Sequence, residues 1–253
     1  MFSEDAVVFV DADSIYFKTC CVTKNKSEIK KYINNMLNQI KQDCMSDNLL
    51  LAVKGSGNFR HDLYKPYKGN RKELQDDLKQ ALNYAHSHMV DGLGSHRADG
   101  MEADDLVSIW AHEAREIQRE FIVAGIDKDL LQIPGNHYNF NKRLHLTMSD
   151  DDAHTQLMLQ CLTGDSTDNI PGIKGIGPKK AGGILLGVPP KRQWSRVQAA
   201  WRGHKAGSPT LSRRSLEMLK TWDEFENVRN QIESKASIRK QDVLEERKTN
   251  EED

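Results

Sequence analysis

The apolar residues of this chain follow two incompatible periods, and their alternation limits what it can fold into. Ala6-Val7-Val8-Phe9-Val10, Leu49-Leu50-Leu51-Ala52-Val53 and Phe121-Ile122-Val123-Ala124 are short unbroken apolar runs, closed by Asp11, Lys54 and Gly125. Runs this short, with no polar alternation, suit strands covered on both faces. Between and around them the period becomes helical. Ile29, Ile33, Met36, Leu37 and Ile40 recur over 27–44, Leu78, Ala81, Leu82 and Ala85 over 74–88, and Leu106, Ile109, Trp110 and Ile117 over 102–120. Buried strands alternating with long helices predict an α/β domain with a mostly parallel sheet.

After about Ser149 the strand signals fade, and helices joined by Gly and Pro turns take over. The expected division is an α/β core over 1–148, a helical module over 149–238 and a charged, disordered tail over 239–253. No run of 18 apolar residues occurs, and Met1-Phe2-Ser3-Glu4-Asp5 carries no positive leader. Cys20, Cys21, Cys44 and Cys161 show no Cys-x-x-Cys spacing, so they read as reduced thiols. These features predict a soluble cytoplasmic protein with no membrane partner.

With 36 Lys and Arg against 37 Asp and Glu, the chain has no overall affinity for polyanions. Its charge is segregated, however. Lys54–Lys72 holds six bases and one acid, Asp99–Asp168 fourteen acids and five bases, and Asn169–Lys220 eleven bases and one acid. An acidic pocket flanked by basic surfaces suits a site that holds cations and approaches a polyanion.

The acids stand at element boundaries, where open parallel sheets bind ligands. Asp11 and Asp13 follow the first strand, and Asp127 and Asp129 follow the third. Glu102, Asp104 and Asp105 open a helix, and Asp165 and Asp168 lead into a glycine-rich turn. Convergence of so many carboxylates would be intolerable without cations, and hard oxygen ligands select Mg²⁺ or Mn²⁺. Two such ions form a clamp for in-line attack of water on a phosphodiester. A glycosidase pair would need only two carboxylates. The turn itself, Gly172-Ile173-Lys174-Gly175-Ile176-Gly177, offers free backbone N–H groups to a phosphate, with Lys174, Lys179 and Lys180 adding charge.

Five motifs in order give the chain a family resemblance: Val-Asp-Ala-Asp at 10–13, Tyr-Lys-Gly-Asn-Arg at 67–71, Glu-Ala-Asp-Asp at 102–105, Asp-Lys-Asp at 127–129, and Gly-Asp-x-x-Asp-Asn-Ile-Pro-Gly at 164–172. Together they resemble the 5′-nuclease (flap endonuclease) family, which includes phage 5′→3′ exonucleases and the nuclease domain of bacterial DNA polymerase I. The resemblance implies a PIN-like core, a helical arch within about 64–100, and a helix-three-turn-helix DNA-binding module. It implies that Asp11, Glu102 and Asp104, with Asp105 as a further candidate, hold a catalytic metal, and that Asp127, Asp129, Asp165 and Asp168 hold a second. Lys68 and Arg71 would contact the scissile phosphate, Tyr67 would stack on a terminal base, and Gly172, Gly175 and Gly177 would bind the duplex backbone, commonly with K⁺. The expected protein is a stand-alone, phage-type monomer acting on 5′ flaps, nicked or gapped duplex, or RNA–DNA hybrid.

One position departs from the pattern. Relatives usually carry a ligand Asp fifteen residues before the arch lysine, and here that residue is Val53. Asp13 is the candidate substitute. Loss of the ligand would instead favour a weak or inactive binder of branched DNA, and a PIN-like ribonuclease is a further alternative. Surface or capping roles are expected for His86 and His88, and core-anchor roles for Trp194, Trp201 and Trp222.

Overall fold

The computed structural model describes residues 6–204 and 207–234. The expected tail over 239–253 lies outside them. The α/β core runs β1 (Val7–Asp11), α1 (Asp13–Val22), α2 (Lys26–Cys44), β2 (Leu49–Lys54), α3 (Arg60–Leu63), α4 (Asp76–Ser87), β3 (His96–Ala98), α5 (Ala103–Glu116), β4 (Phe121–Ala124), β5 (Gly135–Asn139) and β6 (Leu144–Met148). These strands form one six-stranded sheet in the order β3-β2-β1-β4-β5-β6. All neighbours are parallel except the closing β5–β6 pair.

The strand that reads as continuously apolar is the central one, and its side chains alternate between two cores. Val8 and Val10 pack with Ile15, Ile29, Ile33 and Ile40 under α1 and α2, where Ala81, Ala85 and Met89 of α4 and its continuation join them. Val7 and Phe9 face the opposite side, against Leu106, Val107 and Ile109 of α5. Period two on a strand buried on both faces requires this division.

The remainder is α6 (Asp150–Thr163), a small hairpin of β7 (Gly164–Asp165) and β8 (Ile170–Pro171), then α7 (Pro178–Leu185), α8 (Pro190–Trp201) and α9 (Pro209–Leu216). Their core gathers Leu157, Met158, Ile170, Val197 and Trp201, with the Trp201 indole donating to the Cys161 carbonyl at 3.0 Å. Trp201 is thus the anchor expected of it, while Trp222 is exposed. The chain then returns to the sheet, where Met218, Leu219 and Phe225 join the α5 face and a helix covers 222–234. Among the described residues no helix is long and apolar enough to cross a membrane.

A buried ion pair ties this return to the core. The Arg60 guanidinium grips both Asp105 oxygens and also donates to the carbonyls of Ser215 and Glu217 at 3.0 and 3.2 Å. Asp105 is 0% exposed and also accepts from the backbone N–H groups of Leu219 and Glu102, each at 3.1 Å. Removing one partner strands a charge in the interior, so Asp105→Ala should cost about 3–5 kcal/mol of stability. Urea unfolding measures this, and a loss below about 1 kcal/mol would contradict the anchoring role.

Candidate active site

The strand-end geometry sets the site at the carboxyl edge of the sheet. Asp11 is the last residue of β1 and Asp13 the first of α1, two residues past the strand end. Asp11 accepts from the Ser14 hydroxyl at 2.7 Å. Burial, then the neighbouring charge of Asp13 and, less strongly, that of Asp127 push its pKa up to about 7. Asp104, at the start of α5, is also driven upward, by burial and then by Glu102 and Asp105, and it feels Asp11 as well. Asp129 rises to about 7 through burial and then the charges of Asp127 and Asp165. Carboxylates from the β1 end, the α5 start, the 127–129 turn and the β7–β8 hairpin therefore repel one another across one site.

Resident cations offset part of that repulsion. The Lys68 ammonium lies on Glu102 and 3.8 Å from Asp168. Arg71 bonds Asp168 at 2.9 Å, and Lys128 bonds Asp165 at 2.7 Å. Burial would raise the Glu102 carboxyl, but Arg60 and Lys68 overcome it and hold its pKa below the usual value. As these side chains stand, no three Asp, Glu, His or Cys among the described residues are grouped closely enough to enclose a metal ion.

A reciprocal clasp joins the basic segment to the helical module. The Lys68 N–H donates to the Asp168 carbonyl at 2.9 Å, Asn70 Nδ2 to the Ser166 carbonyl at 2.7 Å, and Asn169 Nδ2 to the Pro66 carbonyl at 2.8 Å. Lys68 and Asn169 both adopt left-handed backbone, at φ 54° and 59°. Tyr67 lies at the centre of the clasp. Its hydroxyl stands 2.6 Å from Glu102 Oε2 and 2.9 Å from Asp168 Oδ2, so one proton faces two acceptors and the nearby cations supply the remaining compensation.

Two expectations about site residues change here. Tyr67 was expected to stack on a base, but it is 2% exposed, its ring packed in the helical core with His61 against it edge-on and no face open. Asp105 was a candidate metal ligand, but Arg60 and two backbone N–H groups occupy its oxygens. Val53 is 0% exposed among the residues beneath α1, α2 and α4, and the carboxylate at that strand end is Asp13, whose Oδ1 accepts the Lys54 N–H at 2.7 Å. His86 completes this corner, with Nε2 2.7 Å from the Lys54 carbonyl and its ring edge-on to Tyr16. Of the 64–100 stretch expected to form an arch, 64–75 has no helix, and α4 packs against α1 and α2.

At the glycine-rich turn, Lys174, Gly175, Gly177, Lys179 and Lys180 are exposed. Gly172 lies against the chain, where a Cβ would come within 2.1 Å of the Thr163 carbonyl, so only glycine lets α6 and the turn pass this closely. Sequence reasoning missed Arg60, Ser14 and Lys128. Of these only Lys128 carried a signal, its place between two acids.

Residues 6–158 match the family profile described as the N-terminal, resolvase-like domain of 5′-3′ exonucleases. DNA polymerase I of Pseudomonas aeruginosa is 28% identical over 204 residues, covering 74% of this chain and 22% of that protein. Flap endonuclease Xni of Shewanella baltica is 34% identical over 137 residues, covering 50% of this chain and 52% of that protein. The chain thus spans about a quarter to a half of these relatives' lengths. Among solved structures, T5 5′-exonuclease with zinc bound aligns at TM-score 0.67 and 18% identity, covering 83% of this chain and 88% of that one. A bacteriophage T5 flap endonuclease variant in complex with DNA and metal ions aligns at TM-score 0.62, again at 18% identity, with 83% and 87% covered. These likenesses establish a PIN-like 5′-nuclease fold.

If the Tyr67 hydroxyl braces the two carboxylates, Tyr67→Phe should keep the ring packing and lose about 1.5–3 kcal/mol. Equal urea midpoints for variant and parent would rule the brace out.

Proposed function

The chain belongs to the 5′-3′ exonuclease family, and on that basis we propose that it is a divalent-metal-dependent 5′→3′ exonuclease and 5′-flap endonuclease acting in DNA replication or repair. The observation that carries this reading is the mutually repelling set of carboxylates beside the basic 65–72 segment. Buried acids driven toward protonation at neutral pH fit divalent cations, which would offset the excess charge through hard oxygen ligands. Asp11, Asp13, Glu102 and Asp104 would hold one Mg²⁺ or Mn²⁺, and Asp127, Asp129, Asp165 and Asp168 a second. When bound, the ions supply activation of water and stabilisation of charge on the leaving oxygen.

The chain's own groups do the rest. Lys68 and Arg71 rest on carboxylates; a bound phosphate would draw them over, and there they would offset charge developing in the transition state. The exposed turn at Lys174–Gly177, with Lys179, would take the duplex backbone. Its fit to K⁺ is poor. Lys180 Nζ already lies 2.9 Å from the Gly175 carbonyl, a cation where K⁺ would bind, so K⁺ forms no part of the proposal.

The test is cleavage of a 5′-labelled flap duplex in Mg²⁺ against an EDTA control, with product length resolved. The expected outcome is metal-dependent cutting at the junction or the 5′ end. Lys68→Ala should lower turnover roughly 10²-fold or more. Tight binding with no product even in Mn²⁺ would mark a branched-DNA binder, and preference for single-stranded RNA would mark a ribonuclease.

A further inference from the structure

Lys128 reaches the site without a role in the proposed reaction. Lys68 and Arg71 rest on carboxylates but have a phosphate to turn to. Lys128 stands between Asp127 and Asp129 with its ammonium 2.7 Å from Asp165 Oδ2. That aspartate side chain is 4% exposed, whereas the lysine's is 56% exposed. The ammonium therefore reaches into the site from solvent, with room to withdraw.

The other oxygen of Asp165 is already committed. Oδ1 accepts the backbone N–H of Thr167 at 2.7 Å and of Asp168 at 3.2 Å. Oδ2 is thus the oxygen of Asp165 open to a metal, and Lys128 covers it. The neighbouring acids are partly covered too, since Gln160 donates to Asp129 and the Asp129 N–H to Asp127 Oδ1 at 2.9 Å. Those donors are amides, which leave the negative charge of the group in place. Lys128 occupies a ligand position on Asp165 and cancels a charge, as Lys68 and Arg71 do on Asp168.

We infer that Lys128 is a specificity-determining residue that competes for the second carboxylate group, so that a divalent ion enters there only by displacing its ammonium from Asp165. The inference rests on the metal-dependent reading above. Its consequence is a lower affinity for a divalent ion at the Asp127–Asp129–Asp165–Asp168 group than its carboxylates would give without the lysine. A salt bridge that merely supported the fold would weaken metal binding when removed, because Asp165 would lose a partner that orients it. A competitor has the opposite sign.

The experiment is a Mn²⁺ titration of the whole chain without DNA, with free ion read by electron paramagnetic resonance. Lys128→Gln is expected to tighten one Mn²⁺ equivalent roughly tenfold, the scale of removing one charge a few ångströms from a divalent ion in a solvated site. Lys128→Arg keeps the charge and should bind as the parent does. Lys142→Gln, at the exposed β5–β6 turn, should also match the parent, which separates local competition from a change in net charge. Mn²⁺ uptake by the parent that is unchanged or weakened in Lys128→Gln overturns the inference and leaves the metal reading standing. No uptake by parent or variants overturns both.

Discussion

The Arg60–Asp105 pair is the constraint on which the rest of the arrangement depends. Through one guanidinium and one carboxylate it gathers the start of α3, the start of α5 and the chain leaving α9, all away from water. A buried pair adds little net stability over an apolar contact, but its loss is expensive. Its effect here is positional. By taking both oxygens of Asp105, it leaves Glu102 and Asp104 as the carboxylates at the start of α5 that the proposed reaction would use. It also fixes the backbone of Glu102 through the bond to Asp105. The helix N-terminus favours negative charge at these positions.

A second balance follows from the first. With Asp105 satisfied, the other acids of the site exceed the cations near them, and Lys68, Arg71 and Lys128 are drawn inward as partial compensation. A net charge near zero across the chain therefore conceals a local surplus of negative charge and basic groups that a polyanion could recruit. The same side chains serve both the resting electrostatics and the proposed contact with phosphate, because both need mobile positive charge at one edge of the sheet.

The sequence made some of this legible and hid the rest for physical reasons. β1, β2 and β4 were readable because burial on both faces excludes polar residues from them. β5, Gly-Asn-His-Tyr-Asn, was not, since only His137 and Tyr138 of its five residues are buried. α1 was missed because its aromatic and β-branched residues give no clear apolar stripe. The acidic positions were visible as boundary residues, but Asp104 and Asp105 are neighbours of one type, and only Arg60, 45 residues away in sequence, distinguishes them. Tyr67 kept the motif of an exposed stacking residue while its ring was claimed by the core. Such long-range pairings leave no local pattern to read.

The left-handed backbone at Lys68 has a consequence for how this chain tolerates change. Glycine enters that region without steric cost, so it would relax the bend. It would also delete the ammonium that faces Glu102 and Asp168. Local comfort and chemistry pull in opposite directions at this residue. A glycine there would ease the bend and leave Glu102 and Asp168 with one cation fewer, so its effect on the fold is the balance of a relaxed backbone against an uncompensated charge.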